Sequence, residues 1–111
     1  MKRKKSNHYN YNRGQYKSIL NDMSKQCKVI KEQIAINKKI CSLSKYDIEI
    51  YEEILSKIIE IESFVAQGKE LLKENDFFKD VEVLNKITTA YKLINEICEH
   101  EKRLSIYSIS Q

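Results

Sequence analysis

A chain with no proline and only two glycines, Gly14 and Gly68, has almost no means of turning tightly. Sandwiches and barrels need turn residues at short, regular intervals, so this chain is poorly equipped for either and strongly biased toward helix. Its 111 residues suffice for one domain with a single core and little stability to spare. An apolar fraction of 41% beside 32% charged residues suits thin helices that each bury one stripe. The expectation is therefore an all-α fold of three long antiparallel helices, packed as a bundle or as a coiled-coil-like hairpin.

Residues 1–14 stand apart from this pattern. They combine Lys2, Arg3, Lys4, Lys5 and Arg13 with His8, Tyr9 and Tyr11, and contain no aliphatic residue after Met1. Nothing there offsets a backbone ordering entropy of about 1–2 kcal/mol per residue, which predicts a basic arm disordered in isolation ahead of a helical domain over 15–111.

From about Tyr16, Leu20, Met23, Cys27, Ile30, Ile34, Asn37 and Cys41 recur at alternating spacings of three and four, which predicts a first helix with a coiled-coil-like seam. Asn37 within that seam is the kind of polar insertion that fixes register or oligomer state, and favours self-association. Ser44 followed by Asp47 resembles a capping box with Asp in place of Glu or Gln. The second helix would begin there and bury Tyr51, Ile54, Ile58, Ile61 and Val65. Ile48, Leu55 and Ile59 would widen its buried face, and Gly68 would end it by taking a positive φ. Between Lys69 and Asp80, either Leu71-Leu72 extends that helix or Asn75-Asp76 forms the tip of a short hairpin. A third helix follows from about Asp80 to Leu104 on Leu84, Ile87, Tyr91, Ile94 and Cys98. Its periodicity dissolves in an extended tail, Ser105-Ile-Tyr-Ser-Ile-Ser-Gln111.

Charge is sorted along the chain. Residues 1–46 hold twelve Lys/Arg against Asp22 and Glu32, a local charge of +10, whereas residues 47–111 hold eight Lys/Arg against fourteen Asp/Glu, a local charge of −6. An asymmetry of this size bears on partners more than on fold, and points the N-terminal part toward a polyanion. Lys and Arg would contact phosphates with counterion release, while Tyr9, Tyr11 and Tyr16 could stack on bases. An anionic membrane or an acidic protein surface satisfies the same charge pattern. The chain has no RNA-binding aromatic motif, zinc finger or clear helix-turn-helix, so recognition would be mainly of phosphate.

Chemistry is harder to find. Cys27, Cys41, Cys98 and His100 lack the spacing of any standard zinc module, and the cysteines fall on apolar stripes where they read as small buried hydrophobes. An odd number of cysteines without paired spacing fits a reducing cytosol. Acidic residues such as Glu52, Glu53, Glu60, Glu62, Glu96, Glu99 and Glu101 read as solvated helix faces. No phosphate-binding glycine loop or nucleophile motif is visible, so neither an enzyme nor a cofactor is expected. Charged residues interrupt every Ile-rich run, and Lys2–Lys5 is followed by no apolar stretch, which predicts neither a membrane span nor a secretory leader.

The C-terminal half carries a resemblance. Leu43-Ser-Lys-Tyr-Asp47 opens a helix ending at Ala66-Gln-Gly68, an insert runs through Asn75-Asp76, and a last helix with Lys86, Ala90 and Leu93 closes on Arg103-Leu-Ser-Ile-Tyr-Ser-Ile-Ser-Gln111. This order over residues 43–111 resembles a family of short phage terminase small subunits, although the insert lacks the Asn-Gly and Pro of that pattern and the tail its Gly and Pro. The resemblance implies a non-enzymatic DNA-recognition subunit in the cytoplasm of a bacterial host, self-assembled and presenting viral DNA to a large packaging subunit. Lys2, Arg3, Lys4, Lys5, Tyr9, Tyr11, Arg13, Lys17, Lys25 and Lys28 are the expected nucleic-acid contacts, with double-stranded DNA as the expected partner. The competing expectation is a small helical inhibitor or regulator that docks a partner protein through its apolar seam.

Overall fold

In the computed structural model the backbone is described for residues 2–40, 42–74 and 77–104, and side chains for the same ranges apart from residues 2–12 and 77. These residues form three helices: α1 (Lys2–Ile40), α2 (Lys45–Leu71) and α3 (Phe77–Lys102). Leu20, Met23, Cys27 and Ile34 are buried along α1, with Tyr16 and Ile30 packed beside them, so the first stripe lies where its spacing places it. Helix α1 begins well before that stripe and runs upstream to Lys2. Ser44 caps α2 with its hydroxyl, which accepts the Asp47 N–H at 3.1 Å. That contact satisfies one of the donors a helix start leaves open and matches the capping pattern of the sequence.

Cross-helix contacts fix the directions. Asn37 meets Tyr51, Lys31 meets Glu62 and Leu20 meets Gly68, so α2 runs antiparallel to α1. Lys57 faces Glu96 and Glu53 faces His100, so α3 runs antiparallel to α2. Arg13 reaches Asp80, which leaves α1 and α3 parallel. The most extensive contact is between α2 and α3 and the least is between α1 and α3. The three therefore form an all-α bundle with α2 as its spine, on which Ile54, Ile58 and Ile61 are wholly buried. Burial of each is worth roughly 1.5–3 kcal/mol.

Two expectations about stripes are corrected. Ile48 and Ile59 do not widen the buried face of α2: Ile59 is 67% exposed, and Leu55 is half-buried. On α3 the buried side chains are Val83, Ile87, Ala90 and Ile97, with Leu104 beyond its end, while Leu84, Tyr91 and Cys98 are exposed. Helix α3 turns its Ala90 side toward α2, where a small side chain permits close approach. The stripe read from its sequence becomes the flank toward α1.

Gly68 is also corrected. It does not end α2 and has no positive φ; the helix continues to Leu71, and the Leu72 N–H donates to the Gly68 carbonyl at 3.1 Å. Glycine is needed because α1 comes close: a Cβ at this position would lie 3.0 and 3.2 Å from the two terminal carbons of Leu20. Leu71 thus extends α2, and α3 begins at Phe77 rather than near Asp80. The Asn75-Asp76 tip, Cys41 and the tail Ser105–Gln111 lie outside the described residues.

The two helical glycines should respond oppositely to added bulk. Gly68→Leu overpacks the α1–α2 contact and is expected to cost about 1–3 kcal/mol. Gly14, with nothing within 4 Å of its would-be Cβ, should gain about 0.5–1 kcal/mol as Gly14→Ala. Urea unfolding followed by far-UV circular dichroism measures both.

Candidate nucleic-acid interface

An α-helix advances about 16 Å in eleven residues and returns to nearly the same angle. Lys17, Lys28 and Lys39 are eleven residues apart on α1 and all exposed, so they form a straight ridge about 33 Å long. Lys38 is exposed next to its end. Lys31, on the side of this ridge nearest α2, is held by the Glu62 carboxylate at 2.7 Å, and that bond pushes the ammonium pKa up. Closely spaced lysines on a rigid helix can neutralise successive phosphates while ordering little new chain.

The ten expected contacts do not stay together. Lys17 and Lys28 are on the ridge. Lys25 lies on another flank, beside Gln26 and Val29 at the edge of a cleft toward α3. Lys2, Arg3, Lys4, Lys5, Tyr9 and Tyr11 belong to the first turns of α1, and their side chains lie outside the described residues. Arg13 sits on α1 one helix turn ahead of Lys17, but its guanidinium turns inward. It donates to an Asp80 oxygen at 2.6 Å and to the Leu72 carbonyl, with its side chain 17% exposed. This one side chain therefore joins α1 to the end of α2 and the start of α3, where an acidic residue also complements the helix dipole. Its partner is 67 positions away, so no local pattern in the sequence signals the contact. Lys38 and Lys39 are the residues missing from the expected set, and the eleven-residue spacing from Lys17 and Lys28 is the signal that finds Lys39.

Asn37 donates its amide to the Tyr51 hydroxyl at 3.1 Å and accepts from Gln33 at 3.1 Å. The polar residue in the first seam is thus paired within the chain, where it sets the register of α1 on α2. Cys27 is buried in the same seam; burial first, and then the nearby Glu62 charge, push its thiol pKa up, with Lys31 acting against them. Among the described residues no three His, Cys, Asp or Glu side chains gather closely enough to hold a metal ion. No helix is long and apolar enough to cross a membrane, again among the described residues.

Removing one partner from the Arg13–Asp80 pair strands a largely buried charge, whereas replacing both with apolar side chains does not. Asp80→Asn or Arg13→Met alone should each lower the unfolding free energy by roughly 2–4 kcal/mol. The Arg13→Met/Asp80→Leu double variant should be less destabilised than the sum of its singles. Chemical denaturation of the four proteins as a double-mutant cycle supplies the coupling. No family model matches this chain, and neither the curated proteins nor the solved structures contain a match to it.

Proposed function

We propose that this protein is a non-enzymatic, self-associating adaptor that binds DNA by its phosphates along the lysine ridge of α1. The observation that carries the reading is the alignment of Lys17, Lys28 and Lys39 on one exposed flank of one helix, with Lys38 beside them. The same helix carries the backbone of Lys2–Lys5 upstream, so the ridge and the basic run share one continuous axis. Helix α2 supports the reading from the other side. Glu49, Glu52, Glu60 and Glu70 are exposed on its outer surface and would repel a nucleic acid there, leaving α1 as the face that docks. The order of residues 43–111, which resembles phage terminase small subunits, adds a biological setting: recognition of viral DNA in a bacterial cytoplasm for delivery to a large packaging subunit.

A second reading, a helical module that docks a protein partner, is favoured by the exposed apolar side chains Val29, Ile36 and Ile40 of α1 and Tyr91 of α3. It differs in requiring no affinity for DNA.

Because Arg13 belongs to the bundle, truncation must spare it. A chain beginning at Asn12 removes the upstream basic run, and Lys17→Glu/Lys28→Glu/Lys39→Glu removes the ridge. Duplex binding of the intact chain should weaken steeply with salt. The triple substitution should reduce the slope of log K against log salt by about 2–3. An unchanged slope and affinity in the triple variant would exclude the ridge as the contact.

A further inference from the structure

The flank of α1 next to its core stripe carries a second stripe. Ser18, Asp22, Lys25, Val29, Glu32, Ile36 and Ile40 follow one another at spacings of four, three, four, three, four and four, the pattern of a helix-pairing seam. All seven are exposed, Val29 at 62% and Ile40 at 73%. This stripe borders the loosest junction of the bundle, between α1 and α3. Val29 and Ile30 face Ile94, Ile97 and Cys98 across a cleft of about 360 Å³. The same two residues continue into a pocket of about 150 Å³ with Ile34, Asn37, Glu101 and Leu104. Burial pushes the Glu101 carboxyl pKa up even with the pocket open. The trough so formed has two helical walls and lacks the helix that would close a four-helix bundle.

We propose that the missing helix is α1 of a second copy, paired antiparallel about a two-fold axis near the middle of the second stripe. The charges on the stripe select this occupant and this direction. Lys25 precedes Val29 at the centre of the stripe, and Glu32 follows it. Antiparallel pairing centred near Val29 sets Lys25 of each copy beside Glu32 of the other. Parallel pairing instead puts Lys25 beside Lys25 and Glu32 beside Glu32, which repels. Neither Lys25 nor Glu32 has an ion-pair partner among the described residues, so each is free to serve one between copies. The two-fold axis makes every such contact occur twice. The ridge of Lys17, Lys28 and Lys39 lies on another flank of α1 and is left outside the pairing. This pairing names the face for the self-association in the proposed function, and does not depend on its DNA-binding part.

Sedimentation equilibrium of the full chain near 50 µM, about the range where moderate protein pairs form, should give twice the 13.2 kDa chain mass. Val29→Glu and Ile36→Glu, both at exposed positions, should each give monomers with unchanged helicity and an unfolding midpoint that no longer depends on protein concentration. Lys25→Glu should weaken the dimer about ten-fold or more, and Lys25→Glu/Glu32→Lys should recover it, because the exchanged charges again face each other. A monomeric parent chain overturns the inference, including the case where deleting residues 105–111 raises hydrophobic-dye binding and so assigns the trough to the chain's own tail. A dimer untouched by Val29→Glu and Ile36→Glu, or a charge swap that recovers nothing, overturns it as well. None of these variants alters Lys17, Lys28 or Lys39, so loss of DNA binding by the ridge variant with an intact dimer separates this inference from the DNA reading.

Discussion

The bundle depends on the burial of one ridge, Ile54, Ile58 and Ile61, in the centre of α2. These three side chains have no exposed surface, and both other helices lean on them. Helices α1 and α3 meet each other far less than either meets α2. That inequality follows from geometry. Two helices packed on neighbouring sides of a third close fully against each other only when both direct their widest apolar face inward, and α3 directs Ala90 and Ile97 at the core while Tyr91 and Leu84 stay outside. The surface of α1 that a tighter bundle would have consumed is left over for other uses.

Contacts at both ends keep α1 in register on this spine. At one end Leu20 presses on Gly68 and Arg13 ties to Asp80 and the Leu72 carbonyl. At the other, Asn37 donates to Tyr51. Between them the apolar stripe tolerates sliding by a heptad, since one aliphatic layer resembles the next. Polar contacts do not, because a slipped Asn37 or Arg13 would be buried without a partner. With α1 fixed in both rotation and translation, its lysine ridge and its second stripe acquire definite directions.

How far the sequence revealed this depends on whether the signal was local. The lack of proline, the stripes of α1 and α2 and the Ser44 cap are read from neighbouring residues, and they led to three helices with a correct start for α2. The orientation of α3 was not readable. Val83, Ala90 and Ile97 compete with Leu84, Tyr91 and Cys98 for the core, and periodicity fits both sets; the choice rests on the shape of α2. Gly68 was legible as a special position, but its reason was not, because positive φ and close helix approach both select glycine. Arg13 was misread as free charge for the same cause: its partners are far away in sequence.

The charge split that runs along the sequence becomes a split between surfaces in the fold. Exposed lysines collect on the outer flank of α1, while exposed glutamates face outward on α2. A polyanion would thus meet one attractive side and one repulsive side of the same bundle. Amide chemical shifts of the isotope-labelled protein, followed during titration with a short DNA duplex, test this division most directly. The account predicts shifts concentrated at Lys17, Lys28 and Lys39 and their neighbours on α1, with Glu52 and Glu60 of α2 unmoved. Shifts centred on α2 or α3, or none at saturating duplex and low salt, would contradict it.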